Sequence, residues 1–287
     1  MDPKIIELYN DYIHGDMPRR SFLRQLAVIT GGAAMANAVL ALVEPNYALG
    51  QQVMPGDKRL QQGYTSYEGA WGPVNAYTAK PAGAEGALPG ILVIHENRGL
   101  NAHIEDVARR AALEGYIAIA PDGLSFVGGA PKDQEAARDK FRQAHTDTIT
   151  EDVMKGVEYL KSREDCSGRT GSVGFCYGGG VSLRCAAAEP PTDASVCYYG
   201  RALSAEQTAK VSTPLMMHYA GNDERVNAMI PGFREALDVN SVAYSLHMYP
   251  GTGHGFHNDT SQARYDKTAA MLSWQRTINF FDHYLKS

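Results

Sequence analysis

From Gly63 onward, short apolar runs alternate with longer amphipathic segments, and this alternation sets the expected fold. Ile91-Leu-Val-Ile94 and Tyr116-Ile-Ala-Ile-Ala120 are continuous apolar runs, the pattern of strands buried on both faces of a parallel sheet. Residues 101–114 between them read as a helix closed by Gly115 as its C-cap. The order then repeats. Helices are expected at 133–144 and 150–161, the second with Val153, Val157 and Leu160 inward. A strand over 172–175 feeds a helix that opens near Val181. Strands follow at 194–199, 215–219 and 245–249, with a helix over 228–239. The last helix, 266–285, places Met271, Trp274, Ile278, Phe281 and Leu285 on one face. Upstream, 64–68 and 74–79 read as the two strands of a hairpin. The fold class is therefore α/β: a mostly parallel sheet with helices on both faces, and functional residues at the carboxyl ends of its strands.

The chain has 287 residues, 44% hydrophobic and 21% charged, which suits one large domain, residues 63–287, behind a linker at 51–62. A net charge of −5 without a basic cluster argues against a nucleic-acid partner. Cys166, Cys176, Cys185 and Cys197 have neither disulfide-framework nor zinc-finger spacing, so no metal or cofactor is expected.

Residues 1–50 follow a different pattern. Arg19-Arg20-Ser-Phe22-Leu23-Arg24, a mildly apolar stretch from Gln25 to Val43 and the small-x-small site Ala48-Leu49-Gly50 resemble a twin-arginine export signal, which implies a periplasmic protein. Thr30, Gly31, Gly32 and Asn37 interrupt the apolar stretch, so a stable membrane anchor is not expected. Against export stand the acidic leader (Asp2, Glu7, Asp11 and Asp16 against Lys4) and the exposure of a reactive thiol to oxidation. The alternative is a cytoplasmic protein with a retained amphipathic helix packed on the domain or on a second subunit; in either case a monomer or homodimer is expected.

The strongest chemical signal is Gly174-Phe-Cys176-Tyr-Gly178, between an apolar strand and a helix. This is the nucleophile elbow G-x-S-x-G with Cys for Ser. A structural thiol in a glycine-rich turn is the plainer alternative. Asp223 follows one later strand and His254, in Gly253-His-Gly255, follows the last. The order nucleophile, acid, histidine suits a triad in which His254 takes the thiol proton and Asp223 orients the imidazole. Asn97 and Tyr177 are placed to supply oxyanion-hole N–H groups, and Glu96 is either a regulator of the thiol or a capping acid. Arg98 and Arg201, each just past a strand, are possible substrate grips.

These motifs, with Ala120-Pro-Asp122-Gly, resemble the dienelactone hydrolase family of the α/β-hydrolases over roughly Gly63 to Leu285. The resemblance implies a cofactor-independent hydrolase of lactones or activated esters, working through Cys176, Asp223 and His254 and an acyl-thioenzyme. It implies that Glu96 holds the thiol until substrate arrives. The family's dienelactone-cleaving members carry a carboxylate-gripping arginine four residues after the histidine, where this chain has Asn258; Arg138 matches their second arginine. A thioesterase or a cysteine peptidase would use the same triad. A non-catalytic thiol redox or binding module is the remaining alternative, disfavoured by the lack of C-x-x-C.

Overall fold

The computed structural model describes residues 1–287 apart from 16, 48 and 49, so the small-x-small site lies largely outside the described residues. Three N-terminal helices come first: α1 (Pro3–His14), α2 (Arg19–Thr30) and α3 (Ala33–Val43). An eight-stranded sheet follows, with β1 (Leu60–Glu68), β2 (Pro73–Pro81), β3 (Leu88–Ile94), β4 (Ile117–Pro121), β5 (Cys166–Phe175), β6 (Ala194–Tyr198), β7 (Leu215–Asn222) and β8 (Tyr244–Gly253). Its spatial order is β1-β2-β4-β3-β5-β6-β7-β8. The hairpin β1–β2 and the β2–β4 pair are antiparallel, and every other pair is parallel. The connecting helices are α4 (Ala102–Leu113), α5 (Gln134–Gln143), α6 (Thr146–Ser162), α7 (Tyr177–Ala186), the short α8 (Ala205–Thr208) and α9 (Glu224–Asn227), α10 (Ile230–Val239) and α11 (Lys267–Leu285).

The period-two geometry of a strand divides β3 between two cores. Ile91 and Val93 pack with α4 and α11 on one face, while Leu92 and Ile94 pack with α6 on the other. Local signals start the helices. The Asn101 side chain accepts from the N–H groups of His103 and Ile104 at the start of α4, and that of Asp266 accepts from Ala269 in α11. In α11, Ile278, Phe281 and Leu285 are buried as expected, but Met271 is 61% exposed. The seam runs instead along Ala270, Ser273 and Thr277. These small residues bring the helix close enough for Thr277 Oγ1 to bond Tyr198 Oη at 2.8 Å and His218 Nε2 at 3.1 Å. Closeness of approach, not side-chain size, decided that face.

The helices α1–α3 lie outside the sheet and pack as a cap with an apolar centre of their own. Tyr9, Tyr12, Phe22, Leu26, Leu40 and Val43 are buried together, and the rings of Tyr12 and Phe22 stack at 4.3 Å. Gly31, at φ 80°, makes the turn between α2 and α3, which bend by 108°. No single helix among the described residues is long and apolar enough to cross a membrane. The cap is fastened to the domain by polar contacts. Asn97 Nδ2 donates to the Ile13 carbonyl at 2.8 Å, Tyr12 Oη donates to Glu135 at 2.6 Å, and Ser261 Oγ donates to the Val43 carbonyl at 2.8 Å. Arg19 pairs with Glu135, and the Arg138 guanidinium lies 3.8 Å from the Tyr12 ring centroid.

Candidate active site

The turn between β5 and α7 is tight enough to exclude side chains. A Cβ on Gly174 would stand 1.8 Å from the Gly178 carbonyl oxygen, and one on Gly178 would stand 2.4 Å from that of Ile94. Cys176 itself has φ 54°, a conformation that costs a non-glycine residue about 1–3 kcal/mol. Its backbone N–H is held by the Tyr198 carbonyl at 3.0 Å. The cysteine is 9% exposed and caps α7, where the first-turn N–H groups have no partners within the helix.

Asp223 lies just past β7 and His254 just past β8, and both are buried. His254 Nδ1 meets Asp223 Oδ2 at 2.6 Å. Burial alone would lower the imidazole pKa, but the neighbouring Cys176 charge and the bond to Asp223 more than offset it and push it up to about 9. Burial raises Asp223, yet the hydrogen bond and charge of His254 outweigh it and hold the acid below its ordinary value. The Cys176 sulfur lies within 4.8 Å of a His254 ring nitrogen, so the three residues expected from the sequence come together. His254 Nε2 has no hydrogen-bond partner among the described residues.

The sulfur does have a partner, and it comes from the cap. His14, the last residue of α1, places Nε2 3.2 Å from Cys176 Sγ, while its Nδ1 meets the Asn10 carbonyl at 2.9 Å. Burial, followed by the nearby His254 charge, keeps His14 well below its ordinary pKa and hence neutral. Sequence reasoning missed this residue. The available signal was the spacing of Ile5, Leu8, Tyr9, Tyr12 and Ile13, which are all buried, with Glu7 and Asp11 on the other side of α1.

Glu96 is buried beside the site, and its carboxylate accepts from Asn258 Nδ2 at 2.7 Å. At the position of the family's arginine, Asn258 thus holds Glu96, and His14 occupies the sulfur. Arg98 is buried against Asn97 and Tyr9, with hydrogen bonds of 3.3 Å to each side chain, and does not line the pocket. Arg138 and Arg201 do line it, together with Cys176, Tyr177, Asn97 and His254. This pocket of about 910 Å³ also carries Arg142, Arg184 and Arg225, and no acidic side chain among its described lining residues. Phe141, Met229 and Phe233 supply apolar wall.

A family model described as the dienelactone hydrolase family matches residues 74–285, and one described as YqhI-like matches residues 1–32. An Escherichia coli K12 protein described as a candidate carboxymethylenebutenolidase is 30% identical over 247 residues, covering 81% of this chain and 90% of its own. A solved structure described as a candidate dienelactone hydrolase from Klebsiella pneumoniae superposes with a TM-score of 0.70 at 27% identity, over 78% of this chain and 99% of that one. An Escherichia coli K12 protein, YghX, described as a candidate hydrolase fragment, is 48% identical over 110 residues, which is 38% of this chain and 94% of its own.

Proposed function

The chain belongs to the dienelactone hydrolase family, and on that premise we propose that it hydrolyses anionic lactones or activated esters through an acyl-thioenzyme. The observation that carries this reading is the Cys176 sulfur presented by the elbow beside a buried, Asp223-bound His254. In the proposed cycle His254 takes the thiol proton and Sγ attacks the acyl carbon. The N–H groups of Tyr177 and Asn97 receive the oxyanion. Collapse breaks the ester C–O bond, and His254 protonates the departing oxygen. Water, deprotonated by His254, then cleaves the thioester to release the acid and restore the thiol. The steps balance without an added cofactor.

The five pocket arginines favour an anionic substrate, with Arg138 and Arg201 taking the grip that Asn258 has given up to Glu96. Comparing an acidic lactone with its methyl ester tests this. Arg201→Ala should lower kcat/KM for the acid alone, and equal losses on both would remove the arginine from the reading.

Sulfur also constrains the leaving group. A thiolate, with a parent pKa of about 8.5, leaves more readily than an alkoxide, so the intermediate moves forward only for weakly basic leaving groups. Rates along a series of acetate esters should fall steeply as leaving-group pKa rises, and Cys176→Ala should abolish turnover. A flat series, or a Cys176→Ala variant that keeps a tenth of the activity, would reject the thiol nucleophile.

We propose further that residues 1–43 stay with the working protein. The contacts of α1–α3 with Asn97, Glu135 and Ser261 support a retained cap over an exported leader. Intact mass of the protein purified from its own cells checks this, and a species starting near residue 50 would overturn it.

A further inference from the structure

We infer that His14, Cys176 and His254 form a binding site for a soft divalent ion, zinc by its ligand preference, which shuts the catalytic centre while the cap is seated. One ring nitrogen from each histidine and the sulfur all lie within 4.8 Å of one another. The other nitrogen of each ring is already used. His14 Nδ1 meets the Asn10 carbonyl at 2.9 Å, and His254 Nδ1 meets the Asp223 carboxylate at 2.6 Å. A carbonyl and a carboxylate only accept, so each Nδ1 carries a proton; His14 Nε2 turns a lone pair toward the sulfur, and His254 Nε2 offers one when the proton it shares with the thiol departs. Metal-ligating histidines are fixed in this way, by an outer oxygen that sets the tautomer.

The dimensions suit zinc. Zn–S bonds of about 2.3 Å and Zn–N bonds of about 2.0–2.1 Å, at tetrahedral angles, separate sulfur from nitrogen by roughly 3.5 Å. His14 Nε2 already stands 3.2 Å from Sγ, so entry of an ion needs a shift of a few tenths of an ångström on that side. His254 Nε2, in a residue 2% exposed, has no other partner among the described residues. The donor set is two imidazoles and a thiolate, which selects zinc or monovalent copper over magnesium or calcium. The nearby acids are engaged elsewhere: Asp223 on His254 Nδ1 and Glu96 on Asn258.

The ion forms one bond to Sγ and one to each Nε2, and the single proton that Cys176 and His254 share is released to solvent. Both lone pairs that hydrolysis would use, on the sulfur and on His254, are then taken, so the bound state is inactive. Because His14 belongs to α1, ion binding also favours the seated cap by linkage.

The test is a titration of chelator-stripped, full-length protein with cobalt(II), a spectroscopic stand-in for zinc. One equivalent per chain should produce a thiolate-to-cobalt charge-transfer band and the intense visible bands of a tetrahedral site, and zinc should displace it. Cys176→Ser should abolish the charge-transfer band. His14→Ala, and the bulk-preserving His14→Gln in case the cap fails to seat, should each weaken zinc binding by at least about 10-fold. In a wild type that turns over p-nitrophenyl acetate, zinc should inhibit over the same concentration range and a chelator should reverse it. Absence of the charge-transfer band, or zinc affinity unchanged in both His14 variants, would overturn the site and leave only a hydrogen bond between His14 and the thiol. The spectra read metal binding whether or not any ester is cleaved, so failure of the hydrolytic reading gives a different result.

Discussion

A Cβ at position 174 would overlap the Gly178 carbonyl oxygen at 1.8 Å, a backbone contact that no rotamer change relieves. Gly174→Ala is therefore expected to cost about 3 kcal/mol or more and to remove activity, because the elbow must open to admit the methyl group. Thermal melts and turnover on one preparation check both, and a variant with wild-type melting temperature would show that the turn is looser than its geometry. Asp223 presents a different residue-scale problem. In the proposed cycle its 2.6 Å bond to His254 Nδ1 fixes a proton there and keeps Nε2 for exchange with the thiol. Asp223→Asn keeps the shape but lets the side-chain amide donate, which favours the wrong tautomer. A fall in kcat of about 10³-fold or more, with the fold intact by circular dichroism, is the expected result.

At the scale of elements, the cap is the part whose stability bears directly on the site. Its apolar centre is small, and Phe22, fully buried and stacked on Tyr12, is a main part of it. Phe22→Ala should cost about 3–5 kcal/mol. If that loss falls on cap opening alone, the open population rises at least 100-fold or so, since about 1.4 kcal/mol is tenfold. Two readouts should move together: hydrogen exchange should accelerate in α1 and α2 but not in β5, and alkylation of Cys176 by iodoacetamide should speed up. Unchanged alkylation would mean that the thiol is reached without moving α1. The same packing gives the arginine pair a structural reading, since Arg19 pairs with Glu44 and Glu135 at the start of α2. Changing Arg19 and Arg20 to Lys preserves charge, so a retained cap predicts the same cell fraction for both proteins. Trapping of only the variant in the cytoplasm would favour export.

Across the whole molecule, one buried ionic network ties the linker, α4 and the loop after His254 together. Asp259 accepts from His103 Nδ1 at 3.1 Å, from Arg110 Nη2 at 2.5 Å and from Gln52 Nε2 at 2.9 Å. Asp106 accepts from Arg110 Nε at 2.7 Å and from the Val53 N–H at 2.7 Å. Burial raises the Asp259 pKa, but the hydrogen bond and charge of His103 and the charge of Arg110 outweigh it and hold the acid far below its ordinary value. A depressed carboxylate stabilises the fold above its unfolded pKa of about 3.9, and that contribution drains away as pH falls toward the folded value. Asp259→Asn should lose about 3 kcal/mol at neutral pH, and the gap to wild type should narrow below about pH 4. Denaturation curves at neutral and acid pH measure this, and a gap that does not depend on pH would remove Asp259 from the acid response.

Features with a local cause were legible in the chain: strands buried on both faces, the glycines that the elbow requires, and Asp223 and His254 just beyond their strands. Backbone geometry and apolar periodicity act over a few residues, so they leave their marks on short stretches of sequence. The fold class and the meeting of Cys176, Asp223 and His254 follow from such marks, because a parallel sheet brings the carboxyl ends of its strands to one edge. Tertiary packing alone decided that His14, 162 residues from Cys176 in the chain, reaches its sulfur. It likewise buried Arg98 under the cap, turned Asn258 onto Glu96, and rotated α11 so that Met271 faces water. Each of these depends on how closely two distant segments can dock, and docking follows from shape and from the pairing of buried polar groups. Neither has a period that a single stretch of sequence can carry.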